Sequence, residues 1–163
     1  RDPRDQCASV LHKLKKKKDN PASHYLYENL KTDSDRIKAL IDGYDGTNKV
    51  RGMVSLETMY RSVLEWKEKG NFIFIKFEDL IGPNGGGDLE KQKTSIVRIL
   101  KHINYEHYNN NNIVEQIAHH CFGATNSFWK GQIGNWKNVF DQEITKIFEN
   151  NISDLLNHLG YEN

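Results

Sequence analysis

The sequence predicts an α/β domain, rich in helix and carrying one clear parallel strand. Three observations predict it. Apolar residues recur at three- and four-residue spacing behind good capping residues, the pattern of amphipathic helices. The run Asn71-Phe72-Ile73-Phe74-Ile75-Lys76-Phe77 is apolar almost throughout, which suits a strand covered on both faces. And 163 residues, 37% hydrophobic and 28% charged, are enough for one folded domain over 1–163 and unlike a disordered chain.

The first helix is expected from Pro3 to Lys17. Asp2 serves as N-cap, Pro3 fits the first helical position, and Asp5 puts negative charge in the first turn. Val10, Leu11 and Leu14 form its apolar stripe, Lys13 and Lys15 to Lys18 suit its C-terminal end, and Asp19-Asn20-Pro21 stops it. A short helix follows from Asp33 to Asp42, with Ile37, Leu40 and Ile41 inward and Gly43 closing it. Tyr44 to Gly52 reads as loop. A longer helix runs from Leu56 to Lys69 between Ser55 and Gly70, its apolar face Leu56, Met59, Tyr60, Val63 and Trp66. After the strand over 71–77 comes a glycine-rich turn, Gly82 to Gly87. A helix from Leu89 to His102 turns Ile96, Ile99, Leu100 and Ile103 inward. Asn109 to Asn112 is a short low-complexity linker before a helix over Ile113 to His120. The last helix spans Gln142 to His158 behind Asp141, burying Ile144, Ile147, Phe148, Ile152, Leu155 and Leu159 before Gly160. One strand needs neighbours: either residues outside this chain complete the sheet, which is the expectation, or a second strand lies in the less regular segments.

Lys+Arg 23 against Asp+Glu 22 leaves a formal charge of +1, so no global field draws a nucleic acid. The lysine run at the end of the first helix lacks the interleaved aromatics of RNA-binding modules and reads as a solvated helix end. No apolar stretch is long enough for a membrane span. Two cysteines, Cys7 and Cys121, make no disulfide framework and point to a reducing, cytoplasmic setting. His119, His120 and Cys121 are a weak candidate metal cluster, because adjacent side chains rarely converge on one ion and no second cluster has ligand spacing. The turn Gly82-Pro83-Asn84-Gly85-Gly86-Gly87 stands where a phosphate cradle would, but no Gly-Lys-Ser/Thr follows and Asp88 and Glu90 repel anions, so it reads as a flexible turn.

Arg1-Asp2-Pro3-Arg4-Asp5 opening a helix, with Ser9 beyond, can hold a phosphate through first-turn N–H groups and a guanidinium, or can be simply a capped surface helix. This segment resembles the 3′-phosphate-binding segment of the sulfotransferases that use 3′-phosphoadenosine-5′-phosphosulfate (PAPS). Ser127-Phe128-Trp129-Lys130-Gly131-Gln132-Ile133-Gly134-Asn135-Trp136-Lys137 is similar to the family's second 3′-phosphate segment, Arg-Lys-Gly followed by Gly-Asp-Trp-Lys. Phe77-Glu78-Asp79-Leu80 resembles its Tyr-Glu-Asp-Leu, whose aromatic residue lies near the adenine. The resemblance covers essentially the whole chain. It implies the C-terminal part of a P-loop-like, three-layer sulfotransferase fold, with Arg1, Ser9, Phe77, Phe128, Trp129, Lys130 and Gly131 on the nucleotide.

The resemblance further implies sulfuryl transfer from PAPS to a small-molecule hydroxyl or amine acceptor, with adenosine 3′,5′-bisphosphate as product. The phosphosulfate loop and a histidine base would precede Arg1, so the chain by itself is expected to be inactive, with no catalytic residue of its own. Trp129 stands where the family has arginine, and Asn135 where it has aspartate. Counting from Lys137, the dimer motif of the animal cytosolic enzymes would fall on Asp141, Gln142 and Lys146, which do not match it, so oligomeric state stays open. An alternative also stays open: a non-catalytic module for a phosphorylated nucleotide or a nucleic-acid end.

Overall fold

The structure, a computed structural model, describes residues 1–17, 19–46, 52–66, 69–123 and 129–161. In chain order its helices are α1 (Pro3–Lys16), α2 (Pro21–His24), a π-helical turn (Tyr25–Asn29), α3 (Asp33–Asp42), α4 (Leu56–Trp66), α5 (Phe77–Leu80), a 3-10 turn (Pro83–Gly85), α6 (Leu89–His102), α7 (Asn111–His120), a 3-10 turn (Asn135–Asn138) and α8 (Gln142–Leu159). The expected α/β architecture is corrected by this order of elements: among the described residues there is no strand and no sheet. Extended pairing is confined there to an isolated antiparallel bridge, where Tyr44 and Met53 exchange two backbone hydrogen bonds of 2.8 and 2.9 Å.

The segment expected to be a strand shows why. A parallel strand is held by ladders to its neighbours, and no described segment offers one to Asn71–Lys76, which runs as irregular chain. Phe72 is half exposed, while Ile73, Phe74 and Ile75 are only partly covered. Phe77 leaves the run to open α5, where Glu78 and Asp79 place acidic side chains in a first helical turn. An unbroken apolar run does not by itself specify a backbone state.

The chain divides into two compact units, one of Asp2–Glu68 with Gly134–Asn163, the other of Arg1 with Lys69–Ile133. In the first, α3 packs on α8, α1 and α4. Its core joins Leu11, Leu14, Leu26, Ile37, Leu40 and Ile41 with Ile144, Phe148, Ile152, Leu155 and Leu156. Phe148 stacks on Phe140 at 5.2 Å between ring centroids. Local chemistry fixes the helix ends. Asp2 accepts from the Arg4 N–H at 2.9 Å, with Pro3 at the first position. Thr32 and Asp35 form a reciprocal capping box on α3. Gly43 stops α3 at φ +77°, where a Cβ would stand 2.5 Å from the Met53 carbonyl. Asp141 caps α8, and Gly160 ends it in the left-handed conformation with the Tyr161 N–H returning to Leu156 O. The α4 stripe departs from expectation, since Leu56 is buried but Val63 and Trp66 are each 53% exposed.

In the second unit α6 packs on α5 and α7. Ile96, Leu100 and Val114 form a small core edged by Leu80, Val97, Tyr108, Ile117 and Ala118. Ile103, expected inward, is 62% exposed because the helix has ended at His102. The Asn110 side chain accepts from the N–H groups of Asn112 and Ile113, which starts α7 at Asn111, inside the expected linker.

Candidate functional site

Of the expected nucleotide contacts, Arg1, Phe77, Trp129, Lys130 and Gly131 belong to the unit of Arg1 with Lys69–Ile133, and Ser9 lies on α1 in the other unit. Phe128 lies outside the described residues. Within their unit, two of these residues meet from distant parts of the sequence. The Arg1 guanidinium carbon sits 4.5 Å from the centroid of the Phe77 ring, a cation–π distance. Phe77 can be presented there because it is the first residue of α5, half-buried at the point where irregular chain becomes helix.

Trp129 and Lys130 form a second pair, with the ammonium 5.5 Å from the indole centroid. Lys130 is exposed and Trp129 half-buried, so the ammonium stays in reach of an anion. Gly131 is at φ +60°, a conformation a side chain would strain.

The glycine-rich turn is not a phosphate cradle. Gly85 N–H donates to Gly82 O (3.0 Å), Gly86 N–H to Pro83 O (3.0 Å) and Gly87 N–H to Gly82 O (2.8 Å), so the turn consumes its own donors. Its outer side is tied instead to the segment after Lys130: Ile133 N–H donates to Gly85 O (2.9 Å), and Gln132 Nε2 to Asn84 O (2.8 Å).

In the other unit the first motif segment meets the tail of the third. Asp5, 1% exposed, accepts from the backbone N–H groups of Gly134 (2.7 Å) and Trp136 (2.8 Å). Arg4 and Asp2 form a buried two-pronged pair, Nε to Oδ1 at 3.0 Å and Nη2 to Oδ2 at 2.9 Å, with the guanidinium 4.3 Å over the Trp136 ring. Asn135, 5% exposed, has an amide Nδ2 without a hydrogen-bond partner among the described residues. In the first turn of α1, Pro3 has no N–H and the Arg4 N–H is taken by the Asp2 carboxylate, while Gln6 N–H makes the first intrahelical bond, to Asp2 O. Arg4, paired with Asp2, is not a spare charge for an anion.

Sequence reasoning missed the Asp5 clasp. Asp5 reads locally as an acidic first-turn residue, and its partners are backbone N–H groups that carry no side-chain signature. Cys7 is 2% exposed on α1, and its thiol is pushed up to about 12 by burial first and the Asp2 carboxylate second, so it is a packed group rather than a nucleophile. Among the described residues no group of three or more His, Cys, Asp or Glu side chains is placed to hold a metal. His120 keeps Nδ1 2.7 Å from the Gln116 carbonyl. No described helix is long and apolar enough to cross a membrane. Scans of the chain against protein-family models, against curated proteins and against solved structures each found no match.

Proposed function

We propose that this chain supplies the 3′-phosphate and adenine side of a PAPS site in a sulfuryl-transferring enzyme. The observation that carries the reading is the contact of Arg1 with Phe77. The resemblance assigns Arg1 to the phosphate and Phe77 to the base, and the two meet in one compact unit at 4.5 Å. The donor set is of the right kind. Arg1 offers a planar fork to phosphate oxygens, Lys130 a mobile point charge, and the Gly131 backbone close approach without a Cβ. Phe77 offers a flat apolar face to a purine. These residues bind and orient; no proton transfer is asked of them.

When bound, the nucleotide supplies the sulfuryl group that an acceptor hydroxyl or amine takes, leaving adenosine 3′,5′-bisphosphate. Calorimetric titration tests the reading. Adenosine 3′,5′-bisphosphate should bind at least about tenfold more tightly than adenosine 5′-phosphate, the scale of a single charge-assisted hydrogen bond to the 3′-phosphate. Equal affinity for the two overturns it.

A further inference from the structure

We infer that the glycine-rich turn Gly82–Gly87 is a positioning device for Lys130 and Gly131, setting where the 3′-phosphate is held; the inference rests on the nucleotide reading above. Three contacts argue it. Gly85 is buried against the segment after Lys130 so closely that a Cβ there would stand 2.6 Å from the Gly131 carbonyl and would overlap the Ile81 side chain. The Gly85 carbonyl accepts from Ile133 N–H at 2.9 Å, and the Asn84 carbonyl from Gln132 Nε2 at 2.8 Å. The residues just after Lys130 are therefore held along one edge of the turn by a backbone bond, a side-chain bond and a close van der Waals approach.

Against the expectation of a flexible turn, the segment is internally braced. Its three internal N–H bonds close on Gly82 and Pro83, with Gly82 at φ +71° and Gly86 at φ +83°, conformations that glycine takes without strain. A Cβ on Gly82 would overlap the Gln92 side chain, whose Nε2 donates to Ala118 O, so the turn is seated against α6 as well. It is also continuous with the base side of the site. Ile81 N–H donates to Phe77 O at 2.9 Å, so α5 and the turn are one short stretch that presents Phe77 at one end and holds Gly131–Ile133 at the other. A purine and a 3′-phosphate keep a narrow range of separations within one ligand. A single short stretch that sets both contacts makes that separation a property of the fold.

Gln132 gives the cleaner variant, because its bond to Asn84 lies at the surface and its removal does not open a core. Gln132→Met removes the donor at similar length and adds no charge beside Lys130. The titration uses adenosine 3′,5′-bisphosphate and adenosine 5′-phosphate on the whole chain. Gln132→Met should weaken the bisphosphate about tenfold and leave the monophosphate within about twofold. Gly85→Ala should act in the same direction where it folds. A Gln132→Met protein that keeps the wild-type preference for the bisphosphate overturns the positioning role and leaves the nucleotide reading standing. Equal weakening of both nucleotides also overturns it, since a merely structural role would lower both. A wild-type protein without preference overturns the nucleotide reading and the inference with it.

Discussion

Replacing Asp5 by alanine should loosen the join between the start of α1 and the turn at Gly134–Trp136. The carboxylate is 1% exposed and accepts two backbone N–H bonds at 2.7 and 2.8 Å. A hydrogen bond to a charged group contributes about 1.5–3 kcal/mol, and an N–H left without a partner adds a desolvation cost of about 1–3 kcal/mol when fully buried. Gly134 and Trp136 are only half-buried, so water can reach part of the gap and the second cost is reduced. The destabilisation expected for Asp5→Ala is therefore about 3–4 kcal/mol, a large share of a typical domain's roughly 5–15 kcal/mol. Asp5→Asn should cost about half of that, because its amide oxygen accepts one N–H while its NH₂ faces the other. The assay is equilibrium unfolding in urea, followed by helical circular dichroism and tryptophan fluorescence, with Asp5→Ala, Asp5→Asn and the parent measured together. A cost below about 1 kcal/mol for Asp5→Ala at unchanged m-value would refute the clasp.

Two further outcomes concern the same unit. Arg36 donates to the carbonyls of Leu26 (2.9 Å), Leu30 (2.7 Å) and Lys31 (3.1 Å), pairs with Asp33 and covers the Tyr27 ring, so Arg36→Ala should cost about 2–4 kcal/mol. Arg36→Lys should recover little, since one ammonium cannot reproduce that fork, and near parent stability for the lysine variant would contradict this. For Cys7, the folded thiol titrates at about 12 against an ordinary value of 9.0, so its contribution to stability is full below about pH 9 and is lost as pH rises through 12. Unfolding curves from pH 8 to 11 should show that decline in the parent and a weaker one in Cys7→Ala; identical slopes would contradict it. In the folded protein a thiol reagent should titrate exposed Cys121 and spare Cys7, with both reacting after denaturation.

Several helix starts were legible because they are written in local chemistry. Asp2, Ser55 and Asp141 each cap a first turn within three residues of themselves. The apolar faces of α3 and α8 were legible for the same reason, each periodic over at least two turns and each covered by the other. The strand was not. Asn71–Phe77 has the composition of a doubly covered strand, but strand formation depends on partners elsewhere in the chain, and composition does not supply them. The π-helical turn at Tyr25–Asn29 was equally silent; it is held by Tyr27 O–H donating to Leu11 O and by Arg36 reaching back to Leu26 O, both contacts across ten or more residues. In the candidate site the residue types were readable and their neighbours were not. Nothing in the sequence near Gly85 points to Gly131, and nothing near Asp5 points to Gly134.

Photolabelling tests most directly the claim that Arg1, Phe77 and Lys130 hold the nucleotide. The chain is irradiated with 8-azidoadenosine 3′,5′-bisphosphate and digested, and the labelled peptides are sequenced. The label should fall on peptides containing Phe77 or Trp129–Gly131, and adenosine 3′,5′-bisphosphate should displace it at a concentration where adenosine 5′-phosphate does not. Label confined to other peptides, or displaced equally by both nucleotides, would contradict the assignment.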